Sequence, residues 1–540
     1  MKTNLSFIFL LISFLSFGQE DAWVYFRDKP NAQTFLNNPL TMLTQRAIDR
    51  RTIQNIAIAL NDVPVHQPYI DAIAAVNGIE VKAKSKWLNC VHVRGNQATI
   101  TLLMSNTFVE KIIFANKNIG QLGKNAASSV NNPVNKQFET AVGFNYGNSA
   151  NQIQMLNGDI LHQQNFTGAG KIMAILDSGF TNVNTISPFQ RIRDNNQLLG
   201  GYNFVDGNTT IYGRHNHGTN VLSTIAGFAD NQLVGTAPDA KFYLFITEDI
   251  NSENPVEESY WVEAAEMADS LGVDVINSSL GYFGYDNPAY SYSYSDMTGN
   301  KAFASKGANI AFLKGMIVVC SAGNSGGSSE PFVGVPAEAT NVIAVGAVKF
   351  DRTLASFSSI GPSFDGRVKP DVMAQGQASV VASTSGAITT ANGTSFSSPI
   401  MAGMITSFWQ ALPNATNVEI LQFVKQASDR FANPTAQFGY GIPNFQIALN
   451  IALSINTPVN ATQTVFSIVP NPCNNEIIIN FSSLIKNASI KIYSVLGKEI
   501  YAMENIAPQS KIDLTALQSG IYFYKMKTSD SEISGKLLKN

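Results

Sequence analysis

From residue 151 onward, short apolar runs alternate with helical patterns, and this alternation restricts the fold more tightly than any other feature of the chain. The runs lie at 172–176, 242–246, 273–276, 316–320 and 342–348. Between them fall helical patterns at 218–226, at 256–271 (closed by Gly272) and at about 301–314 (closed by Gly315). Strand and helix in turn are the signature of a mostly parallel sheet with helices on both faces, an α/β fold. Ligands of such open sheets bind beyond the carboxyl ends of the strands.

Polar residues of chemical interest fall at those ends. Asp177 directly follows the first run, in Asp177-Ser178-Gly179. His217 opens a helix with an apolar face of Val221, Leu222, Ile225 and Ala226. Asn324 follows the 316–320 run in Ser321-Ala322-Gly323-Asn324-Ser325-Gly326. Ser395 comes after Asn392-Gly393, at or just before a helix with one apolar face of Ile400, Met401, Met404, Ile405, Phe408 and Trp409. Pro399 reads as a first-turn residue, where its missing N–H costs nothing. A serine there meets free N–H groups and the positive end of a helix dipole, which favour developing negative charge. Each residue alone has a plainer reading: a turn former, a core or surface histidine, a helix cap. Four of them at the sheet's carboxyl end would rarely coincide by accident. His215 is a rival base, but it lacks the Gly-Thr that follows His217 and reads as a loop residue.

The order Asp, His, Ser is one of three known for the hydrolase triad. Asp177-Ser178-Gly179, His217-Gly218-Thr219-x-Val221 and Gly393-Thr394-Ser395-x-Ser397-Ser398-Pro399 closely resemble the subtilisin family of serine endopeptidases, over roughly residues 140–450. The resemblance implies that Ser395 attacks, His217 takes its proton, Asp177 orients His217, and Asn324 donates to the oxyanion. It also implies two walls of a pocket for the residue before the scissile bond: the stretch Ser278-Ser279-Leu280-Gly281 (Ser278, Leu280 and Gly281 as contacts) on one side, Ser321, Ala322 and Gly323 on the other. Gly334 would floor that slot and leave it deep. A deep uncharged slot favours large apolar residues. The chemistry requires no cofactor and no metal; structural calcium, common in the family, is left open because no acidic loop has ligand spacing. A Tyr- and Asp-rich insert, 282–300, departs from the family pattern and reads equally as a recognition loop or an aromatic cover. Asp286 or Asp296 from it could overhang the pocket mouth.

The two ends of the chain carry a different message. Lys2, an uncharged run to Phe17, and Ser16 and Gly18 before Gln19 make residues 1–18 a secretory signal peptide, too short to span a bilayer. Residues 19–115 read as a small α/β pro-domain, with strands at 23–26, 79–82 and 88–93 and helices at 43–51 and 69–76. The stretch 117–150 is Asn-, Ser- and Gly-rich, and the linker within it is bounded at 116–139 before a peptidase domain of 140–452. A second linker, 453–464, precedes short strands separated by turns at 465–540, hence a small all-β sandwich. Val469-Pro470-Asn471-Pro472, Leu496-Gly497-Lys498 and Gly520-Ile521-Tyr522-Phe523 closely resemble the C-terminal sorting domain of type IX-secreted Bacteroidetes proteins. That resemblance implies export through periplasm and outer membrane, with the secretion machinery and peptide substrates as partners. Later stretches contain no ~20-residue apolar run, so no transmembrane segment is expected in the mature chain. The net charge of −3 gives no reason to expect a nucleic-acid partner. Cys90, Cys320 and Cys473 lie in separate segments and form no metal-ligand cluster. The rival reading is a catalytically inactive peptide-binding surface protein on the same fold. A secreted esterase is disfavoured because Gly393-Thr394-Ser395-Phe396-Ser397 lacks the Gly-x-Ser-x-Gly elbow.

Overall fold

The computed structural model describes residues 18–119, 144–455, 467–471, 473–480, 488–494, 498–507, 509–527 and 532–539. The signal-peptide reading, most of the 116–139 linker and residues 456–464 of the second linker lie outside the described residues; 453–455 end the helix Phe445–Ile455. The chain divides into two compact units between Ala452 and Leu453.

The larger unit is built on a seven-stranded, all-parallel sheet. Its order is Val372–Gln375, Ile343–Val348, Ile317–Ser321, Val275–Ser278, Ile172–Asp177, Lys241–Ile246, Leu198–Asn203. The five inner strands correspond to the five apolar runs, because strands covered on both faces become apolar throughout. The two edge strands escaped the sequence reading for opposite reasons. Leu198–Asn203 is half-buried and carries Gly200-Gly201, while Val372–Gln375 is only four residues long. Alternate residues Ile172, Ala174 and Leu176 pack toward Val256–Leu271 and Phe303–Leu313. His217–Ala226 and Thr394–Ala411 are the helices that carry His217 and Ser395.

Residues 19–114 form a four-stranded antiparallel sheet in the order Ile79–Ser85, Cys90–Asn96, Gln19–Phe26, Val109–Phe114. The last strand is absent from the sequence reading; the expected helices run Gln45–Ile53 and Gln67–Ala74. Ala22, Val24 and Phe26 pack with Ile73 and Ile100 of the module's own helices. Trp23, Tyr25 and Cys90 point the other way, into a cluster with Tyr260 and Phe303 of the larger sheet's helices. This sheet is therefore apolar on both faces, which is why residues 22–26 form one unbroken apolar run.

Charge fixes the register of that contact. Arg50 and Arg51 donate to the two oxygens of Asp269, at 2.5 and 2.6 Å, with all three side chains at most 4% exposed. Arg51 and Lys314 share Asp62 at 2.8 and 2.7 Å. Arg46 donates to Asp274 at 2.5 Å, and Glu266 accepts the backbone N–H groups of Lys86 and Trp87, each at 2.9 Å. Trp23 stacks on Phe303 with centroids 4.9 Å apart, and its indole N–H donates to Ser259 at 2.8 Å.

The smaller unit pairs a three-stranded antiparallel sheet (Ser467–Val469, Glu476–Asn480, Ser510–Asp513) with a four-stranded one (Glu499–Ile506, Ala488–Ser494, Gly520–Lys527, Glu532–Lys539). Ile477, Ile479, Ile490, Ile492, Met526 and Leu537 fill one core between them, the small all-β sandwich expected.

Candidate active site

Asp177 is the last residue of its strand and is fully buried. Its Oδ1 accepts from the Ser178 N–H at 2.8 Å and meets His217 Nδ1 at 2.8 Å. His217 is the first residue of its helix, so the helix start carries the ring to the sheet's carboxyl end. Burial disfavours the imidazolium, but the charge and hydrogen bond of Asp177 outweigh it and hold the His217 pKa above its ordinary value. The His217 ring centroid lies 6.1 Å from that of Phe396, the neighbour of Ser395. His215 is a neighbour of the Asp177–His217 pair: its Nδ1 lies 3.4 Å from the His217 backbone nitrogen and 3.2 Å from the Ser178 hydroxyl, which also donates to Asp177 Oδ1.

Ser395 is the second residue of Thr394–Ala411, inside the first turn rather than before it. That helix is buried nearly all round rather than along one face: only Ser395 and Gln410 of its 18 residues are not buried. Small residues make this packing feasible. A Cβ on Gly403 would lie 1.9 Å from Thr236 Oγ1. Pro399 sits one turn further in than the sequence reading placed it, and its missing N–H has a consequence. An i→i−4 bond from residue 399 would end on the Ser395 carbonyl. With no such donor, that carbonyl accepts from the Ser279 hydroxyl at 2.9 Å. The Ser395 hydroxyl in turn lies 3.5 Å from the Ser279 carbonyl.

Asn324 is held by one end. Its Oδ1 accepts from the Thr394 N–H at 2.9 Å and the Thr394 hydroxyl at 3.0 Å. The point a Cβ on Gly393 would occupy lies 3.7 Å from Asn324 Nδ2 and 3.6 Å from the Ser395 nitrogen, so two donors flank one space. Gly393 has φ +149°, a conformation that residues with side chains rarely adopt.

Beside these residues opens a cavity of about 200 Å³. Leu280, Gly281, Ser321, Ala322, Gly323, Asn324, Gly334 and Ser395 all line it. Ser278 does not. Alternation along the strand turns its side chain the other way, where its hydroxyl accepts from Trp261 Nε1 at 2.9 Å, and Ser279 takes its place in the lining. Ser178 and Thr394 stand inside the motifs without a role assigned from sequence, and the structure gives them supporting hydrogen bonds to Asp177 and Asn324. Ser279 belongs to the expected wall, and its bond to the Ser395 carbonyl is an addition to that role.

The insert does not hang an acid over this cavity. Asp296 is buried, bonded to Lys117 at 2.7 Å and to Lys301, and those cations and the Ser293 N–H hold its carboxyl below the usual range against burial. Asp286 accepts from the Glu253 N–H at 3.1 Å. Most of the tyrosines bridge to carboxylates: Tyr282 to the buried Glu248 at 2.5 Å, Tyr285 and Tyr292 both to the buried Glu258 at 2.6 Å, and Tyr290 to the half-buried Glu20 at 3.0 Å. Among the described residues no group of three or more His, Cys, Asp or Glu side chains could hold a metal ion.

Comparison with known proteins gives three family matches. A Subtilase family model matches residues 168–442, a Bacteroidota Peptidase S8 propeptide domain matches 21–132, and a secretion system C-terminal sorting domain matches 467–540. The chain is similar to Subtilisin DY of Bacillus licheniformis, at 30% identity over 298 residues, covering 55% of this chain and 97% of the relative. It is similar to Subtilisin NAT of Bacillus subtilis subsp. natto, at 32% identity over 302 residues, covering 55% and 70%. Among solved structures, the MycP3 protease from the type VII (ESX-3) secretion system aligns at TM-score 0.46 and 20% identity, covering 58% of this chain and 91% of that one.

Proposed function

Because the chain belongs to the subtilase family and is a serine endopeptidase, we propose that Asp177, His217 and Ser395 are its catalytic triad and Asn324 its oxyanion donor. The observation that carries this reading is the 2.8 Å contact between His217 Nδ1 and Asp177, beside the helix start that bears Ser395. With Nδ1 engaged by the carboxylate, Nε2 is the nitrogen left to take the Ser395 proton. The serine oxygen then attacks the peptide carbonyl, and the Asn324 amide and Ser395 N–H stabilise the oxyanion. His217 returns its proton to the leaving amine, and water resolves the acyl-enzyme. Asp177 keeps its negative charge throughout and stabilises the imidazolium. The cavity takes the side chain before the scissile bond, with Leu280 and Gly281, Ser321 to Gly323, and Gly334 around it. Its lack of a charged lining favours large apolar side chains.

A propeptide at one end and a sorting domain at the other make the protein an exported zymogen that uses type IX secretion. No helix among the described residues is long and apolar enough to cross a membrane. The finer reading is that Ser395 itself cuts the 116–139 linker, and that the domain from 465 is recognised by the export machinery and then removed.

Labelling with a serine-directed organophosphonate tests the triad. Wild-type protein should be modified at Ser395 alone, and Ser395→Ala, His217→Ala and Asp177→Ala should each lose both labelling and peptidase activity. Their effects should be strongly non-additive, as expected of residues acting as one unit. Activity that survives in His217→Ala but is lost in His215→Ala would transfer the base role to His215.

A further inference from the structure

One tyrosine of the insert differs from the rest. Tyr282, Tyr285, Tyr290 and Tyr292 all end on carboxylates, which makes them a cover. The Tyr294 ring instead stacks on Phe332, with centroids 3.7 Å apart and planes 17° from parallel. Phe364 meets the same ring edge-on at 5.4 Å, and the Tyr294 hydroxyl donates to the Pro362 carbonyl at 2.9 Å. Tyr294 does not line the cavity beside Ser395; Phe332 does.

We propose that Tyr294 is a positioning residue for substrate specificity: by clamping the Phe332 ring it fixes one wall of the pocket and so sets how strongly that pocket favours an aromatic over a small side chain before the cut. The inference rests on the cavity being the pocket assigned under Proposed function, and it adds a residue outside the lining that sets the selectivity of that pocket.

Backbone and side chain cooperate in the clamp. The strand carrying Phe332 is anchored by Val333 N–H to the Ile360 carbonyl at 3.0 Å and Ile360 N–H to the Pro331 carbonyl at 2.8 Å. The backbone is thus fixed, while the half-buried Phe332 ring has one face against Tyr294. Phe283 contributes a second ring to the lining, and a Cβ on Gly334 would lie 3.7 Å from Phe283 Cδ2. Gly281, Gly323 and Gly334 add lining without side chains. Two rings and several glycines in one lining suit a ring, since offset and edge-on ring contacts add to area burial. A branched aliphatic side chain gains the burial without those contacts. Losing the clamp lets Phe332 rotate, and the ring pair it forms corresponds to about a two- to tenfold effect on rate.

The test uses the processed enzyme and peptide anilides that differ only before the scissile bond (Phe, Leu, Ala). Rates are expressed per phosphonate-titrated Ser395. Tyr294→Ala should lower the Phe:Ala ratio of kcat/KM about two- to tenfold, and Tyr294→Phe, which keeps the stacked ring, should restore it. Phe332→Leu should lower the same ratio, and adding Tyr294→Ala to it should change nothing further, because both act through one ring. Tyr294→Leu serves in place of the alanine variant should that variant not fold. An unchanged ratio, or an equal loss on all three substrates, would overturn the role of Tyr294. A titratable wild-type enzyme with no preference for Phe would overturn the pocket assignment and this inference together. Failure of Ser395 to label would count against the triad instead.

Discussion

Asp269→Ala should loosen the N-terminal module without disturbing the protease. Asp269 is the single carboxylate shared by Arg50 and Arg51, and the three side chains are 0%, 4% and 1% exposed. Without it Arg51 keeps Asp62 at 2.8 Å, but Arg50 is left with the carbonyls of Val273 and residue 269. Removing one partner of a buried ion pair costs about 3–5 kcal/mol, because the other charge stays desolvated. If that cost falls on docking alone, the undocked fraction rises by about two to four powers of ten. Cys90 reports it. The thiol sits on the docked face of the sheet, and burial pushes its pKa well above the ordinary value, so the docked form is unreactive. In a Ser395→Ala background, which should leave the linker uncut, alkylation of Cys90 should follow the open fraction and accelerate by about that factor. Cys320 and Cys473 are buried elsewhere and serve as internal controls. Equal Cys90 rates with and without Asp269 would refute the ionic account of docking. Simultaneous labelling of Cys90 and Cys320 would show general unfolding of that unit instead.

Other outcomes follow from the site and the ends. The base must be neutral to act and His217 is held above its ordinary pKa, so kcat/KM should fall as pH drops through a value above about 6.5. Asp177→Asn removes the charge that raises it and should move this acid limb to lower pH in whatever activity survives, read from the pH–rate profile. Gly334→Asp fits without displacing anything, since its Cβ would be 3.5 Å from the Tyr282 carbonyl oxygen. It should shift preference before the cut toward Lys and Arg by about ten- to a hundredfold, the worth of a charge-assisted hydrogen bond, in a peptide library varied at that position. Deleting residues from 465 onward should leave an active enzyme that accumulates in the periplasm, checked by fractionation; normal export of the truncated protein would assign that domain another task.

What the sequence disclosed, and what it hid, separates along physical lines. Strands covered on both faces announce themselves, so 172–176 and 342–348 were legible. An edge strand with two glycines, 198–203, does not. The residues proposed to carry the chemistry were legible because each stands in a local motif. Their supports were less so: the Ser279 hydroxyl reaches the Ser395 carbonyl because Pro399, 120 positions away from Ser279, lacks an N–H. Counting apolar positions fixed one face of Thr394–Ala411 but gave no hint that small residues let the opposite face be buried as well. Alternation likewise decides between Ser278 and Ser279, and neighbouring serines look alike until the strand's start is known. The pairing of Arg50 with Asp269, 219 residues apart, leaves no trace in composition or period. The insert's tyrosines were visible as a cluster, yet their partners, Glu258, Glu248, Glu20 and Phe332, are all distant in sequence.

The two-faced sheet of the N-terminal module bears on timing. While the linker is intact, the module docks as part of one molecule, so its effective concentration does not depend on how dilute the protein is. Severing the linker need alter no hydrogen bond or ion pair in that interface. It changes only the molecularity: a contact independent of protein concentration becomes one that obeys mass action. For an exported enzyme the next event is entry into a large volume, where each copy is dilute. Dilution then works as the release step, and a face holding Trp23, Tyr25, Cys90 and the arginines parted from Asp274 and Asp269, Arg46 and Arg50, is left in water. The same cut performed in a crowded compartment would leave the pieces together, so location rather than chemistry sets when the protease becomes free.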